Sequence, residues 1–322
     1  MLLVFISLSL CCVFAQGGAY SSRGNPIITH KFTSDPAALV YKDKVYLYTG
    51  HDAPSRFGNN PQEWLVFSSG DFHTWQEYPV PLKKDDFEWA ANKDNTWAWA
   101  AHVAERDGKF YMYASIADPI NRTMSIGVAV SDSPSGPFKD AIGKPLVSGN
   151  MHTVDPAVFI ENDGQAYIFW GCYGSCFYAK LKDNMVELDS PAMQVRIESM
   201  LDEQGFIDLE GFWASAWVHK HDDWYYLSYS SGGPAKIMYA MSKNINGPWI
   251  YKGLLNEVPG NVANNHQAII DYKGKNYFFY YNGVLPNGGN FSRSVCVDYL
   301  YYNPDGTMKK VWMTTEGVSD NN

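Results

Sequence analysis

Apolar and polar positions along this chain fall into a pattern that repeats. Five segments share one scheme: an apolar run, a short polar turn with Asp, Asn or Gly, then a strand in which aromatic residues alternate. They are Asp35 to Thr49 (DPAALVYKDKVYLYT), Trp99 to Ser115 (WAAHVAERDGKFYMYAS), Asp155 to Gly171 (DPAVFIENDGQAYIFWG), Trp213 to Ser230 (WASAWVHKHDDWYYLSYS) and His266 to Asn282 (HQAIIDYKGKNYFFYYN). β-Branched and aromatic residues on either side of such a turn predict a β-hairpin, because they fit a pleated surface and the turn residues accept the tight reversal. The hairpins recur at intervals of roughly 55 residues. Between them lie further predicted strands at Trp64 to Ser69, Ser125 to Ser131, Phe177 to Leu181 and Lys236 to Ser242. Two of these run into matching turns, SPSGPF from Ser133 and NINGPW from Asn244.

The repeating unit is therefore about four strands, and units of four strands repeated radially make a propeller. Five repeats predict an all-β fold, a five-bladed β-propeller with four-stranded antiparallel blades around a central axis. A β-sandwich would also use short strands but would leave the long repeat unexplained. The chain shows no sustained helical period and no Ser/Gly/Pro-rich linker, so residues 25–315 are expected to form one domain.

Composition narrows the function. The chain is 16% aromatic, with 22 Tyr and 11 Trp, only 18% charged, and carries a net charge of −9. Phosphate binding needs basic stripes that are missing here, which disfavours nucleic acid and anionic membrane as partners and leaves neutral ligands. Residues 1–16 are apolar (LLVFISLSLCCVFA after Met1) and of the length of a signal-peptide core, so a secreted or periplasmic location is expected, with cleavage near Ala15. Cys172 and Cys176 are near enough in sequence to pair in an oxidising compartment, and two separate buried thiols fit equally well.

The candidate chemistry begins with two Asp-Pro-Ala steps, Asp35-Pro36-Ala37 and Asp155-Pro156-Ala157, at equivalent places in the first and third repeats. One isolated Asp-Pro is usually a turn initiator. Two at repeat-equivalent positions suggest carboxylates aimed at a common centre, and the following Pro is expected to bias each Asp toward extended backbone.

Together with these steps, the segments SDPAALVYKDKVYLYTGHD, WAWAAHVAERDGKFYMY, IGVAVSDSPSGPF, VDPAVFIENDGQAYIFWG, LEGFW, AMSKNINGPW, NNHQAIIDYKGKNYFFYYNG and RSVCVDYLYYNPDG occur in an order that resembles glycoside hydrolase family 43, five-bladed propeller enzymes acting mainly on arabinose- and xylose-containing plant polysaccharides. The resemblance runs from about Asn25 to about Met308. It implies an inverting mechanism in which Asp35 is the general base, Asp155 orients the acid and tunes its pKa, and Glu210 is the general acid. It also places His266 near the axis, beside a calcium ion in some relatives.

Physically, inversion needs one carboxyl kept protonated and another ionised, roughly 6.5–9.5 Å apart so that a water fits between base and sugar. A third carboxylate nearby raises the pKa of its neighbour. The fourth repeat admits two alignments. In one, Glu210-Gly211-Phe212-Trp213 carries the acid and a bulge at Trp213-Ala214-Ser215-Ala216 absorbs the extra length; Asp208 is a weaker substitute. In the other, the strand aligns through Trp217-Val218-His219-Lys220 and the acid position falls on Ala214.

Trp97, Trp99 and Trp213 can stack on sugar faces or pack between blades. Arg293 can hydrogen-bond sugar hydroxyls or form a surface salt bridge. His266 can serve the central site or sit in the core, and no cofactor is required by this chemistry, with calcium at His266 open. The chain is thus expected to release terminal xylose or arabinose from xylan, arabinoxylan, arabinan or their oligosaccharides. The alternatives are an endo-arabinanase and a carbohydrate-binding propeller without catalysis.

Overall fold

The computed structural model describes residues 18–54, 61–91, 96–118, 121, 123–198 and 211–318. They form five small sheets arranged as the blades of a propeller. A single turn of 3₁₀ helix, Lys84–Asp86, is the only helical element among the described residues.

Each blade starts with the strand nearest the axis and steps outward. Blade one runs Phe32–Tyr41, Lys44–Asp52, Glu63–Ser69, Thr74–Glu77, with Ala19–Ser21 added outside the last. Blade two runs Trp97–Arg106, Lys109–Asp118, Thr123–Ser131, and both Lys139–Asp140 and Val147–Asn150 pair with the third strand. Blade three is Ala157–Ile160, Ala166–Cys172, Ser175–Leu181 and Met193–Gln194. Blade four is Phe212–His221, Trp224–Ser231, Lys236–Ser242 and Trp249–Asn256, with Ile197–Glu198 parallel to the last. The five repeat segments are the first two strands of the five blades.

Blade five departs from the four-stranded expectation: it has three strands, Ala268–Tyr272, Lys275–Asn282 and Ser294–Leu300. The edge that a fourth strand would cover is taken by the segment from Asn25 to Ile28. The Ile27 amide donates to the Val295 carbonyl (2.9 Å), and the Val297 amide donates to Asn25 Oδ1 (2.8 Å). The start of the chain thereby closes the ring on its last blade, and no bare edge is left there to pair with another chain.

Tight two-residue turns at Lys42-Asp43, Asp107-Gly108, Asp222-Asp223 and Lys273-Gly274 join the first and second strands at one end of the molecule. The first strands begin, and the second strands end, at the opposite end. That end is where side chains from all five blades reach the axis.

Candidate active site

The site is built where the first strands begin, and three of the five break their ladders there. In blade one the pairing jumps from Ser34↔Gly50 to Ala37↔Tyr48, which leaves Asp35-Pro36 as a bulge. Blade two jumps in the same way from Ala98 to Ala101, and blade four from Ala214↔Ser230 to Trp217↔Ser228. A bulge re-aims the side chain at its apex. Asp35 (φ 47°), Asp155 (φ 54°) and Ser215 (φ 61°) all have left-handed backbone at this corner. The extended backbone expected for residues before proline is therefore not what Asp35 and Asp155 adopt. Asp is among the residues that tolerate this region because its short polar side chain bonds locally.

A cavity of about 440 Å³ opens at the axis and is lined by, among others, Asp35, Asp52, Trp97, Trp99, Asp155, Tyr173, Trp213, Ala214, Ser215, His266 and Arg293. The structure thus brings together every site residue expected from the sequence apart from Glu210, which with Asp208 lies outside the described residues. Asp35 accepts a hydrogen bond from Arg293 Nη1 (2.9 Å), and His266 Nδ1 stands 3.7 Å from the same oxygen. Arg293 is not a surface salt bridge. It is half-buried between two carboxylates, donating from Nε to Asp52 Oδ2 (2.7 Å) and from Nη2 to Asp52 Oδ1 (3.0 Å), a bidentate fork, with its guanidinium carbon over the Tyr281 ring at 4.8 Å. Burial would lower the pKa of Arg293, but the charges of Asp35 and Asp52 raise it well above its usual value. For Asp52 burial works upward, yet the Arg293 charge and hydrogen bonds, with Ser34, hold it below the usual carboxylate range.

Asp155 sits deeper. Its Oδ2 accepts from the Ser215 amide (2.9 Å), and its own amide donates to Ser115 Oγ (3.0 Å). Burial, then the nearby charge of Asp35, pushes its pKa up against the opposing pull of His266. The two aspartates from repeat-equivalent positions therefore occupy unequal environments. Asp35 is clamped by a cation, while Asp155 is a buried carboxyl fastened to blade four.

In blade four, the register shared with blade one makes Ala214 the counterpart of Ser34, and Ser215 the counterpart of Asp35. The strand also contains a second irregularity, between Phe212↔Ser231 and Ala214↔Ser230, where Trp213 is the extra residue. The expected bulge is thus present and double. Among the described residues of this strand, none brings a carboxylate to the cavity.

Trp99 lines the cavity while packing against a small apolar cluster that includes Ala117, Met124, Val154 and Cys172, so both expected roles meet in one ring. Cys172 and Cys176 are separate buried thiols: Cys172 pairs across the hairpin with Ser175, and Cys176 with Gly171. Among the described residues, no group of three His, Cys, Asp or Glu side chains is placed to hold a metal ion.

Asp52, Ser215, Tyr281 and Tyr173 are the site residues the sequence reading missed. A usable signal existed for Asp52: it ends the segment SDPAALVYKDKVYLYTGHD, a carboxylate that closes an aromatic strand. Ser215 carried no signal until the register was known.

Five blades thus bring Asp35 and Asp155 to one axial cavity, and comparison with known proteins gives the family. The model for glycosyl hydrolases family 43 matches residues 23–308, and the chain belongs to that family. It is 31% identical to a xylosidase/arabinosidase of Bacteroides ovatus, over 91% of this chain and 98% of that protein. Among solved structures it is similar to a family 43 β-xylosidase/α-arabinofuranosidase from a compost microbial metagenome in complex with xylotriose. The TM-score is 0.80 at 31% identity, covering 91% of this chain and 98% of the other. A Xanthomonas citri enzyme, also complexed with xylotriose, matches with a TM-score of 0.80 and 28% identity over 93% and 97% of the two chains.

Proposed function

We propose that this glycosyl hydrolase is exported and removes terminal xylose or arabinose units from plant cell-wall polysaccharides or their oligosaccharides, in one inverting step. The observation that carries the reading is the pair of aspartates in one cavity held in opposite environments, Asp35 by Arg293 and Asp155 by burial. In the proposed reaction Asp35 takes a proton from water as the water attacks the anomeric carbon from the face opposite the leaving group. The glycosidic C–O bond breaks and the leaving oxygen takes a proton from Glu210. Asp155 raises the pKa of that acid by adding a carboxyl to the same site.

The test is release of aryl β-D-xyloside and aryl α-L-arabinofuranoside, with proton NMR of the first-formed anomer. Asp35→Asn is expected to lower kcat/KM by roughly 10³-fold, in line with loss of a general base. Retained activity in that variant would remove Asp35 from the mechanism, and net retention at the anomeric carbon would refute inversion. Shortening of linear arabinan from within would favour the endo-arabinanase. Binding of oligosaccharides with no turnover by wild type would favour a sugar-binding role, which the absence of a carboxylate at Ala214 and Ser215 supports.

A further inference from the structure

We infer that Tyr173 and Trp213 form a stacking platform at the cavity mouth for the second sugar of a bound oligosaccharide, on the leaving-group side of the bond presented to Asp35. This rests on the function proposed above and extends it to a residue, Tyr173, that the sequence reading did not single out. Three observations meet at the pair.

The first is local backbone cost. Tyr173-Gly174 is the two-residue turn between Cys172 and Ser175, and both residues have positive φ (51° and 85°), the signs of a type I′ turn. Such turns favour Asn, Asp or Gly at the first position; of the two other turns with the same signs among the described residues, Asp107-Gly108 uses Asp and Lys273-Gly274 uses Lys. An aromatic residue here is locally unfavourable. Trp213 is likewise the extra residue of the second bulge in its strand. Strain retained at a site is an indication of function when surrounding structure over-determines it. Here the Tyr173 amide donates to the Trp213 carbonyl (2.7 Å), locking the turn of blade three to the bulge of blade four.

The second is exposure. Trp213 is 44% and Tyr173 41% exposed, among the largest apolar surfaces left in water, and they are neighbours, with ring centroids 5.1 Å apart and planes at 90°. Each offers a broad apolar face with one polar atom, the kind of surface that stacks on a sugar ring.

The third is depth. Both residues line the same cavity as Asp35, Asp155 and His266, but Asp155 and His266 are 9% and 7% exposed. A terminal sugar reaching Asp35 fills the bottom, and its neighbour in the oligosaccharide emerges where the two rings stand. No other second-to-third-strand connection is as short as this turn, so blade three alone can hold a ring at the mouth on two residues of chain.

The experiment is calorimetric titration of xylose and xylotriose into the Asp35→Asn protein, alone and combined with Tyr173→Asn or Trp213→Ala. Asn suits the turn, so Tyr173→Asn is expected to raise the thermal midpoint while weakening xylotriose roughly tenfold. Trp213→Ala is expected to weaken xylotriose similarly. Both should leave xylose within about twofold. Unchanged xylotriose affinity, equal weakening of both sugars, or a lowered thermal midpoint for Tyr173→Asn would overturn the platform. Failure of Asp35→Asn to bind either sugar, while folded, would instead overturn the proposed function beneath it.

Discussion

At the scale of single residues, burial decides more than sequence identity. His102 lies buried against Trp217, its Nδ1 without a hydrogen-bond partner, and desolvation with the charge of His266 pushes its pKa down to about 3. His219, stacked on Tyr226, is pushed to about 3 by burial and then by His221. In the unfolded chain both titrate near 6.5. Between these values the unfolded state binds more protons, so stability is present above pH ~6.5 and is lost as pH falls toward 3. Urea midpoints measured from pH 7 to pH 4 should fall steadily, and His102→Leu should make the decline shallower. A curve of unchanged slope would show that His102 binds its proton equally in the folded and unfolded chain. In sequence both histidines read as ordinary strand residues, because nothing nearby reports how completely the blades enclose them.

At the scale of elements, the first strands and their bulges are where sequence and structure parted. The hairpins were legible because a period of two with aromatic and β-branched residues is a local signal. Apart from the one expected in blade four, the bulges were not, since an extra residue is defined only against a partner strand. Asp35 and Ser215 occupy one structural position, yet nothing in Asp-Pro-Ala and Ser-Ala-Trp announces it. The double bulge of blade four yields a paired prediction on xylobiose. With Glu210 as acid, Glu210→Gln should lower kcat by about 10²–10⁴-fold, and Ala214→Glu should gain nothing. A rise in activity for Ala214→Glu, with Glu210→Gln unaffected, would place the acid position at Ala214 and the natural chain without one.

At the scale of the whole molecule, the ring is closed by the start of the chain. Asn25 Nδ2 donates to the Val297 and Thr314 carbonyls (3.1 and 3.0 Å) and to Asp298 Oδ2 (3.2 Å), while its Oδ1 accepts from the Val297 amide. One side chain joins the first segment, the last strand and the C-terminal segment. Asn25→Ala leaves several of these groups unpaired and is expected to cost about 2–3 kcal/mol. Chemical denaturation should show the loss as a lower midpoint with unchanged slope. A change under 0.5 kcal/mol, the range of ordinary surface substitutions, would mean that closure rests on the backbone bonds alone. The same closure explains why blade five needs only three strands of its own.

Taken by itself, the sequence determined the repeat, the strand pairs, the propeller and two of the axial carboxylates, because these depend on local periodicity and on residues a few positions apart. Only the tertiary structure decided that Arg293 clamps Asp35 and Asp52, residues separated by most of the chain. Only it showed that Asp155 is the buried one of the pair, and that Ser215 faces it from blade four. These outcomes depend on which blades adjoin at the axis and on the register within each, and both are set by packing across the ring rather than by any single stretch of chain.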